Sequence, residues 1–405
     1  MAKLADRAAV VVVGGSLAGL RAAESLRRRG HSGPITIVGA EPHPPYDRPP
    51  LSKRVLTGQL DPSATELPVG DDLDLSWMRG TAASGLDLDH RRVTLTGGGD
   101  VAFDALVIAT GAQPTWLPGI GPQDGVHQLR TLDDAMALRD ELESGPRVTI
   151  VGGGFIGLEV AASCRQRGLE VTVVEYLDVP LARAIGHEMG AVCARLHRDQ
   201  GVELRTGASV AGLAGSGRVE GVELEGGEVI PADVVVVGVG VAPTTGWLEG
   251  SGVDLDDGVV CDESLRVLVG GQAQPDVVAA GDVARWLHHG YGRPVRVEHW
   301  TNAAEQGEAA AVTLIEGEEA PAFSPVPYFW SDQYSTKIQF VGMVDPTDEV
   351  EVVEGSVDDG RFVATYGRDG RLVGALGFSR PARVMAYRRL LEQGCGFPVP
   401  VALRG

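Results

Sequence analysis

The sequence predicts an α/β fold with two doubly wound parallel sheets, followed by a small α+β domain at the C-terminus. Two observations support this prediction. A pattern of strand, glycine turn, helix and strand occurs twice, about 135 residues apart, and each copy begins with a valine-rich strand of the kind that is buried on both faces of a sheet. After about residue 322, short alternating strands separated by turn residues replace this pattern.

Each element follows from its periodicity and its flanking turn residues. The first copy predicts a strand at 8–13, a helix at 17–29 and a strand at 35–38, and the second predicts a strand at 147–151, a helix at 155–167 and a strand at 171–174. Further strands are predicted at 234–239, 275–280, 337–341, 349–353, 362–366 and 372–377, and a last helix at 381–391. We therefore predict two Rossmann-like dinucleotide-binding domains, 1–114 with 243–322 and then 115–242, and an α+β domain at 323–405.

Composition excludes several classes of function. The net charge of −20 argues against nucleic-acid binding through phosphate neutralisation, and no apolar run reaches the roughly 18 residues of a membrane span. The apolar run at the N-terminus leads straight into a glycine turn, so we expect no signal peptide. The four cysteines are scattered, which predicts no metal site and no redox-active dithiol, and we expect them to be buried apolar residues in a reducing cytoplasm.

The second glycine turn carries the more specific signal, because Gly152 to Gly157 reads G-x-G-x-x-G between a strand and a helix. Glu175 ends the next strand, where its carboxylate can bind the ribose hydroxyls of an adenosine and repel a 2′-phosphate. This favours NADH over NADPH, although Arg183 lies eight residues further on as a nearby cation. The predicted NAD-binding residues are Gly152, Gly154, Phe155, Ile156, Gly157, Glu175 and Gly240.

The first glycine turn departs from the full motif. Ser16 replaces the second glycine of the run from Gly14 to Gly19, and a small residue there still tolerates a nearby pyrophosphate. Gly39, not an acid, ends the second strand, so Glu41 is the candidate ribose ligand. The alternative is that this turn serves packing alone.

Three further runs carry a resemblance to a known family: Leu106 to Gly111, Pro275 to Asp282, and the proline-rich run Pro45 to Lys53. Over nearly its whole length the chain resembles the FAD flavoprotein reductases of the glutathione-reductase-like fold. Within them it is similar to the NADH-dependent ferredoxin and rubredoxin reductases of the putidaredoxin reductase type, which feed cytochrome P450 and dioxygenase systems. This resemblance implies FAD in the first unit and NAD(H) in the second. Motif and resemblance together predict the FAD contacts Gly14, Ser16, Leu17, Ala18, Gly19, Ala40, Glu41, Arg48, Lys53, Ala82, Ala109, Thr110, Gly111, Arg130, Asp282 and Trp300.

Lys53 and Glu159 are the predicted catalytic pair. A fixed cation beside a flavin stabilises the negative charge of its reduced ring, and Lys53 ends the proline-stiffened loop. We place Glu159 on the first turn of the second helix and predict that it forms an ion pair with Lys53 beside the flavin. The alternative is that Glu159 only complements the dipole of the helix N-terminus.

The cysteines also bear on where the electrons go. Residues 38–60 contain no cysteine, so no thiol pair is available to a reduced flavin there, and we expect single electrons to pass to an external carrier. The resemblance makes that carrier an iron–sulfur ferredoxin. The last 45 residues contain eight arginines and two acids, a net charge of +6, against −26 for the other 360 residues. We predict that a ferredoxin docks at this region and near Trp330 and Lys337; arginines scattered over a solvated surface are the alternative.

Two other functions fit the same motifs. One is the reduction of a small radical or a quinone, which the proline-rich run does not exclude. The other is a flavoprotein whose redox state controls binding to a protein partner, with turnover incidental. Slow turnover with a cognate ferredoxin, together with a long-lived flavin–NAD complex, would favour the binding function.

Overall fold

The structure is a computed structural model that describes residues 4–403. The chain forms two compact units, each built from separated stretches of sequence. The first unit contains the described residues up to Asp47, Thr65–Gln113 and Ala242–Pro327, and the second contains Arg48–Ala64, Pro114–Val241 and the described residues from Tyr328 onward. The predicted fold class is confirmed, whereas the finer division into three domains stays a prediction.

The first unit is organised around a nine-stranded mixed sheet whose centre is parallel. In spatial order its strands are Arg293–Arg296, Ala284–His288, Val259–Cys261, Arg266–Val269, Gln272–Ala279, Ala105–Ile108, Val10–Val13, Ile35–Gly39 and Leu75–Arg79. Helices α1 (Leu17–Arg28) and α5 (Trp300–Glu316) belong to this unit. They pack so closely that a Cβ on Gly307 would lie 2.3 Å from the Ala18 carbonyl oxygen. A small antiparallel sheet contains Ala83–Asp87, Arg92–Leu95 and Asp100–Ala102.

The second unit contains a five-stranded parallel sheet, whose order is Glu203–Thr206, Val171–Glu175, Val148–Val151, Val234–Val237 and Val126–His127. Its other elements are an antiparallel sheet of Val210–Ala214, Gly221–Leu224 and Val229–Pro231, and the helices α2 (Leu132–Glu141), α3 (Phe155–Gln166) and α4 (Ala182–Asp199). Leu51–Val55 forms one π-helical turn at the end of the proline-rich run.

The C-terminal part of the second unit is a five-stranded antiparallel sheet covered by helix α6 (Pro381–Glu392). Its strands, in spatial order, are Tyr328–Gln333, Thr336–Gly342, Arg371–Phe378, Arg361–Arg368 and Glu349–Ser356. One apolar core, which includes Phe340, Phe362 and Phe378, joins this sheet to the residues packed around α3 and α4.

Two short strands, Ala112–Pro114 and Val241–Pro243, lie where the chain passes from one unit to the other. Within residues 4–403, no helix is both long enough and apolar enough to cross a lipid bilayer.

Candidate dinucleotide sites and a buried ion pair

The first site is formed at one edge of the nine-stranded sheet. Parallel registry places Val13 opposite Val38 and Ile108, and Ala279 opposite Ile108, so these four strands end together. Because the carboxyl ends of parallel strands share an edge, the segments that follow them lie close to one another. The predicted residues brought to this edge are Gly14, Ser16, Ala40, Glu41, Ala109, Thr110, Gly111 and Asp282.

The Gly14 turn is too tight for any other residue. Its φ is +124°, and a Cβ there would lie 2.0 Å from the Ala109 carbonyl oxygen. A Cβ on Gly19 would lie 2.0 Å from the Gly14 carbonyl oxygen, so the start of α1 packs directly on the turn. Leu17 and Ala18 begin α1, whose first backbone N–H groups and positive dipole end suit a pyrophosphate. The residues at this edge therefore fit the diphosphate of FAD.

The remaining predicted flavin contacts fall in three places. In the first unit, Ala82 precedes a strand of the small sheet, and Trp300 opens α5 with its indole N–H donating to Asp47 Oδ1 at 2.8 Å. Glu41 accepts a hydrogen bond from the Tyr46 hydroxyl, a partner that the sequence analysis did not identify. Arg48, Lys53 and Arg130 belong instead to the second unit, where Arg48 Nη1 donates to the Arg130 carbonyl oxygen at 2.6 Å.

The second site lies at the carboxyl edge of the five-stranded sheet. Gly152 has a φ of +107°, and a Cβ there would meet the Gly238 carbonyl oxygen at 2.3 Å. A Cβ on Gly157 would lie 2.2 Å from the Gly152 carbonyl oxygen. Gly154 differs from both, because its Cβ would find only the Gly238 oxygen at 3.9 Å, which leaves open space before α3. Gly154 is thus the motif glycine beside which a pyrophosphate has room.

Glu175 is held rigidly beside this turn. Its Oε2 accepts the backbone N–H of Gly153 at 2.6 Å, and its Oε1 accepts that of Leu177 at 2.7 Å. Each carboxylate oxygen keeps a further lone pair for a ribose hydroxyl. Phe155 and the half-exposed Ile156 begin α3, and Gly240, with a φ of +114°, follows the neighbouring strand. These residues fit the adenosine and the diphosphate of NAD(H).

The predicted ion pair between Lys53 and Glu159 is confirmed. Lys53 Nζ lies 2.7 Å from Glu159 Oε2 and 3.0 Å from the Pro49 carbonyl oxygen. The Ser52 hydroxyl donates to the same carboxylate oxygen at 2.5 Å, and the Ser331 hydroxyl donates to Oε1 at 2.6 Å. Because three donors satisfy it, the carboxylate can remain charged although Glu159 is only 3% exposed.

The helical position predicted for Glu159 is wrong. It is the fifth residue of α3, past the first turn, and its side chain is buried in the ion pair and not exposed beside the helix N-terminus. The π-helical turn at Leu51–Val55 explains the meeting: it directs Ser52 and Lys53 toward α3, and Ser163 of α3 donates to the Ser52 carbonyl oxygen at 2.6 Å. Sequence analysis missed Ser52 and Ser331; the only signal for Ser331 is a polar residue on the buried face of a strand.

The cysteines are poorly suited to thiol chemistry. Burial raises the pKa of Cys164 to about 12 and that of Cys193 to about 12, and it also raises the pKa of Cys261. All four cysteines are free thiols, and Cys395 is half-buried near the C-terminus. The three buried side chains therefore remain protonated and unreactive at neutral pH.

Comparison with known proteins identifies the family of this chain. Residues 8–307 match the family model for pyridine nucleotide-disulphide oxidoreductases, and residues 328–402 match the model named Reductase C-terminal. Rhodocoxin reductase of Rhodococcus erythropolis is 38% identical over 94% of this chain and 89% of its own length. The ferredoxin–NAD(+) reductase component of the anthranilate 1,2-dioxygenase system of Burkholderia cepacia is 36% identical over 95% and 94%.

A solved structure is also similar. The covalent putidaredoxin reductase–putidaredoxin complex contains a chain that is 32% identical, with a TM-score of 0.90 over 96% of this chain and 93% of that one. Family members use FAD and NAD(H), the two groups that the sites accommodate. This chain therefore belongs to the pyridine nucleotide-disulphide oxidoreductase family, and within it to the FAD-dependent ferredoxin reductases that carry the Reductase C-terminal domain.

Proposed function

We propose that this protein oxidises NADH and passes the electrons, one at a time, to an iron–sulfur ferredoxin that serves a cytochrome P450 or another oxygenase. One observation carries the proposal: two sites that fit dinucleotides occur in a chain whose three buried cysteines are inert thiols. An enzyme of this family with no redox-active thiol pair needs an external electron acceptor. The relatives named for ferredoxin and for rhodocoxin support a small redox protein as that acceptor.

We assign FAD to the domain predicted at 1–114 with 243–322, and NAD(H) to the domain predicted at 115–242. Bound at these residues, FAD would supply the chemistry of hydride acceptance from NADH, with release of the two electrons one at a time and of the proton to solvent. The residues of this chain supply the rest. The Gly14 and Gly154 turns hold the two diphosphates, Lys53 provides a positive charge, and Glu159 keeps that charge in place. Glu175, held by two backbone N–H groups, favours a free ribose over a 2′-phosphate.

The docking region is the arginine-containing C-terminal segment together with Trp330. Ion pairs neutralise part of its positive charge. Arg368 pairs with Asp345 and Asp348, Arg383 with Glu354, and Arg388 with Glu392. Over residues 323–405 the sequence contains nine basic and ten acidic side chains, so any positive surface is local. Arg361, Arg371 and Arg389 are exposed and form the part that we propose contacts the ferredoxin, while Arg404 lies outside the described residues.

Salt dependence tests this function and its partner together. Reduction of a purified acidic ferredoxin by NADH should fall at least about tenfold between low and high salt, because charge steering is screened, whereas reduction of ferricyanide should change little. Parallel salt curves would contradict docking through charge. Failure to reduce any ferredoxin, with NADH still bleaching the flavin, would contradict the proposed function.

The compartment that we propose is the cytoplasm. Free thiols at Cys164, Cys193, Cys261 and Cys395 are compatible with a reducing environment, where disulfides rarely form.

A further inference from the structure

A continuous chain of hydrogen bonds runs from Glu159 to the turn that follows the strand Tyr328–Gln333. Ser331 Oγ lies 2.6 Å from Glu159 Oε1, and Gln333 Nε2 lies 3.2 Å from Ser331 Oγ. Gln333 Oε1 is 2.9 Å from His197 Nε2, and the Tyr334 hydroxyl is 3.0 Å from His197 Nδ1. Each of the three middle residues is 0% exposed. The dinucleotide-binding motifs require none of these four hydrogen bonds.

The chain has only one consistent arrangement of protons while Glu159 is ionised. A carboxylate only accepts, so the Ser331 hydroxyl must donate to it, and the Ser331 oxygen is left to accept from an amide N–H of Gln333. That orientation turns the amide oxygen of Gln333 toward His197, which must then carry its proton on Nε2. A neutral His197 consequently accepts from the Tyr334 hydroxyl at Nδ1.

The surroundings of His197 support a neutral imidazole. Burial lowers the pKa of His197 to about 4, against a smaller opposing effect of the Gln333 hydrogen bond. Burial likewise raises the pKa of Tyr334, so its hydroxyl keeps the proton that it donates. All four hydrogen bonds then point the same way, and bonds aligned in this manner polarise one another toward the carboxylate.

We propose that His197 and Gln333 are positioning residues of the catalytic ion pair: through Ser331 they hold one oxygen of Glu159 and leave the other to Ser52 and Lys53. They lie on α4 and on the C-terminal sheet, so elements outside the glycine motifs set the orientation of the Lys53 ammonium. The catalytic value of that orientation rests on the proposed function. The proton arrangement does not, because it depends only on the charge of Glu159.

The charge of Glu159 therefore fixes the tautomer of His197 through three intervening hydrogen bonds. In Glu159→Gln the new amide oxygen would face Ser52 and Lys53, which are both donors, and its NH2 group would donate to Ser331. The Ser331 hydroxyl would then donate to the oxygen of a rotated Gln333, whose NH2 group would donate to His197 Nε2. The whole chain would reverse, and His197 would carry its proton on Nδ1 and donate to Tyr334.

Nitrogen NMR of the oxidised, FAD-loaded full-length protein, labelled with 15N-histidine, tests this inference. His197→Gln identifies the His197 signals by their loss. We expect a protonated Nε2 in the wild type, a protonated Nδ1 in Glu159→Gln, and no change in Ser52→Ala, which removes a donor only from the other carboxylate oxygen. A protonated Nδ1 in the wild type, or an unchanged tautomer in Glu159→Gln, would overturn the proposal.

A second variant covers the case in which Glu159→Gln does not fold. Ser331→Ala removes the link while it leaves the ion pair charged, so both His197 tautomers should become populated; the wild-type tautomer alone would contradict the coupling. Gln333→Leu should slow reduction of FAD by NADH about tenfold with an unchanged Kd for NAD+. Thr365→Val, a substitution at an equally buried position of the same sheet, should leave that rate unchanged. Because the NMR experiment uses neither NADH nor ferredoxin, its failure is distinct from failure of the proposed function.

Discussion

The two glycine turns of this chain are packed alike, but the acidic residues that accompany them, Glu41 and Glu175, are positioned by different kinds of contact. In both, the first and last motif glycines are fixed by backbone oxygens between 2.0 and 2.3 Å from where a Cβ would be. After the second turn the acid, Glu175, is the last residue of the next strand, and two backbone N–H groups hold it. In the first, Glu41 lies beyond the end of the strand, and its carboxylate accepts a hydrogen bond from a side chain, the Tyr46 hydroxyl. Backbone contacts follow from a motif, whereas a side-chain partner has to be observed.

The largest effect that we expect separates the two roles of glycine. Gly14→Ala places a Cβ against the Ala109 oxygen at a φ of +124°, so it should lower the free energy of unfolding by about 3 kcal/mol or more and abolish FAD binding. Gly154→Ala places its Cβ in open space, so stability should change by less than about 0.5 kcal/mol while NADH affinity falls at least about tenfold. Chemical denaturation, flavin absorbance and NADH titration measure these quantities.

Equal losses of stability in the two variants would contradict the distinction. The comparison depends on the local backbone alone, because a φ between +100° and +130° excludes side chains at Gly14 and Gly152 but Gly154 has an ordinary φ of −74°.

The next effect concerns the ion pair of Lys53 and Glu159, both of which belong to the second unit. Lys53→Met should slow reduction of the flavin by NADH well over tenfold, because it removes the positive charge beside Glu159. It should also lower the free energy of unfolding by about 3 kcal/mol, since Glu159 is buried and would lose its counter-ion. Stopped-flow absorbance and chemical denaturation report the two effects separately.

The double variant Lys53→Met with Glu159→Gln is the matched control. It removes both charges, so most of the stability should return while the rate stays low. A rate that recovered together with stability would show that Lys53 acts only through folding and not on the reaction.

The sequence predicted most of the scaffold, and the reason is local. Helix α1 and the strand Ile35–Gly39 lie within one residue of their predicted ends, because apolar periodicity and glycine turns define them. It also predicted the pair of Lys53 and Glu159, from the need for a fixed cation beside a flavin and from the position of an acid near the start of the second helix. It could not predict Ser331, Gln333 or His197 as partners of that pair, because their contacts join residues more than 100 positions apart on separate elements. The position of Glu159 within its helix was wrong for a similar reason: a dipole argument considers one helix, whereas tertiary donors decide what that carboxylate binds.

The smallest effect that we expect comes from substitutions of the two acids, Glu175 and Glu41. Glu175→Gln removes the negative charge that opposes a 2′-phosphate, so the preference for NADH over NADPH should fall about tenfold. The new NH2 group also faces a backbone N–H, either that of Gly153 or that of Leu177, and this conflict should weaken binding of both nucleotides a few-fold. Glu41→Gln is the control in the first unit: it should alter FAD affinity and leave the NADH-to-NADPH ratio of kcat/KM unchanged. A ratio that Glu175→Gln did not move would shift the discrimination to the exposed Arg183, and the rigid carboxylate would then serve the turn and not the choice of nucleotide.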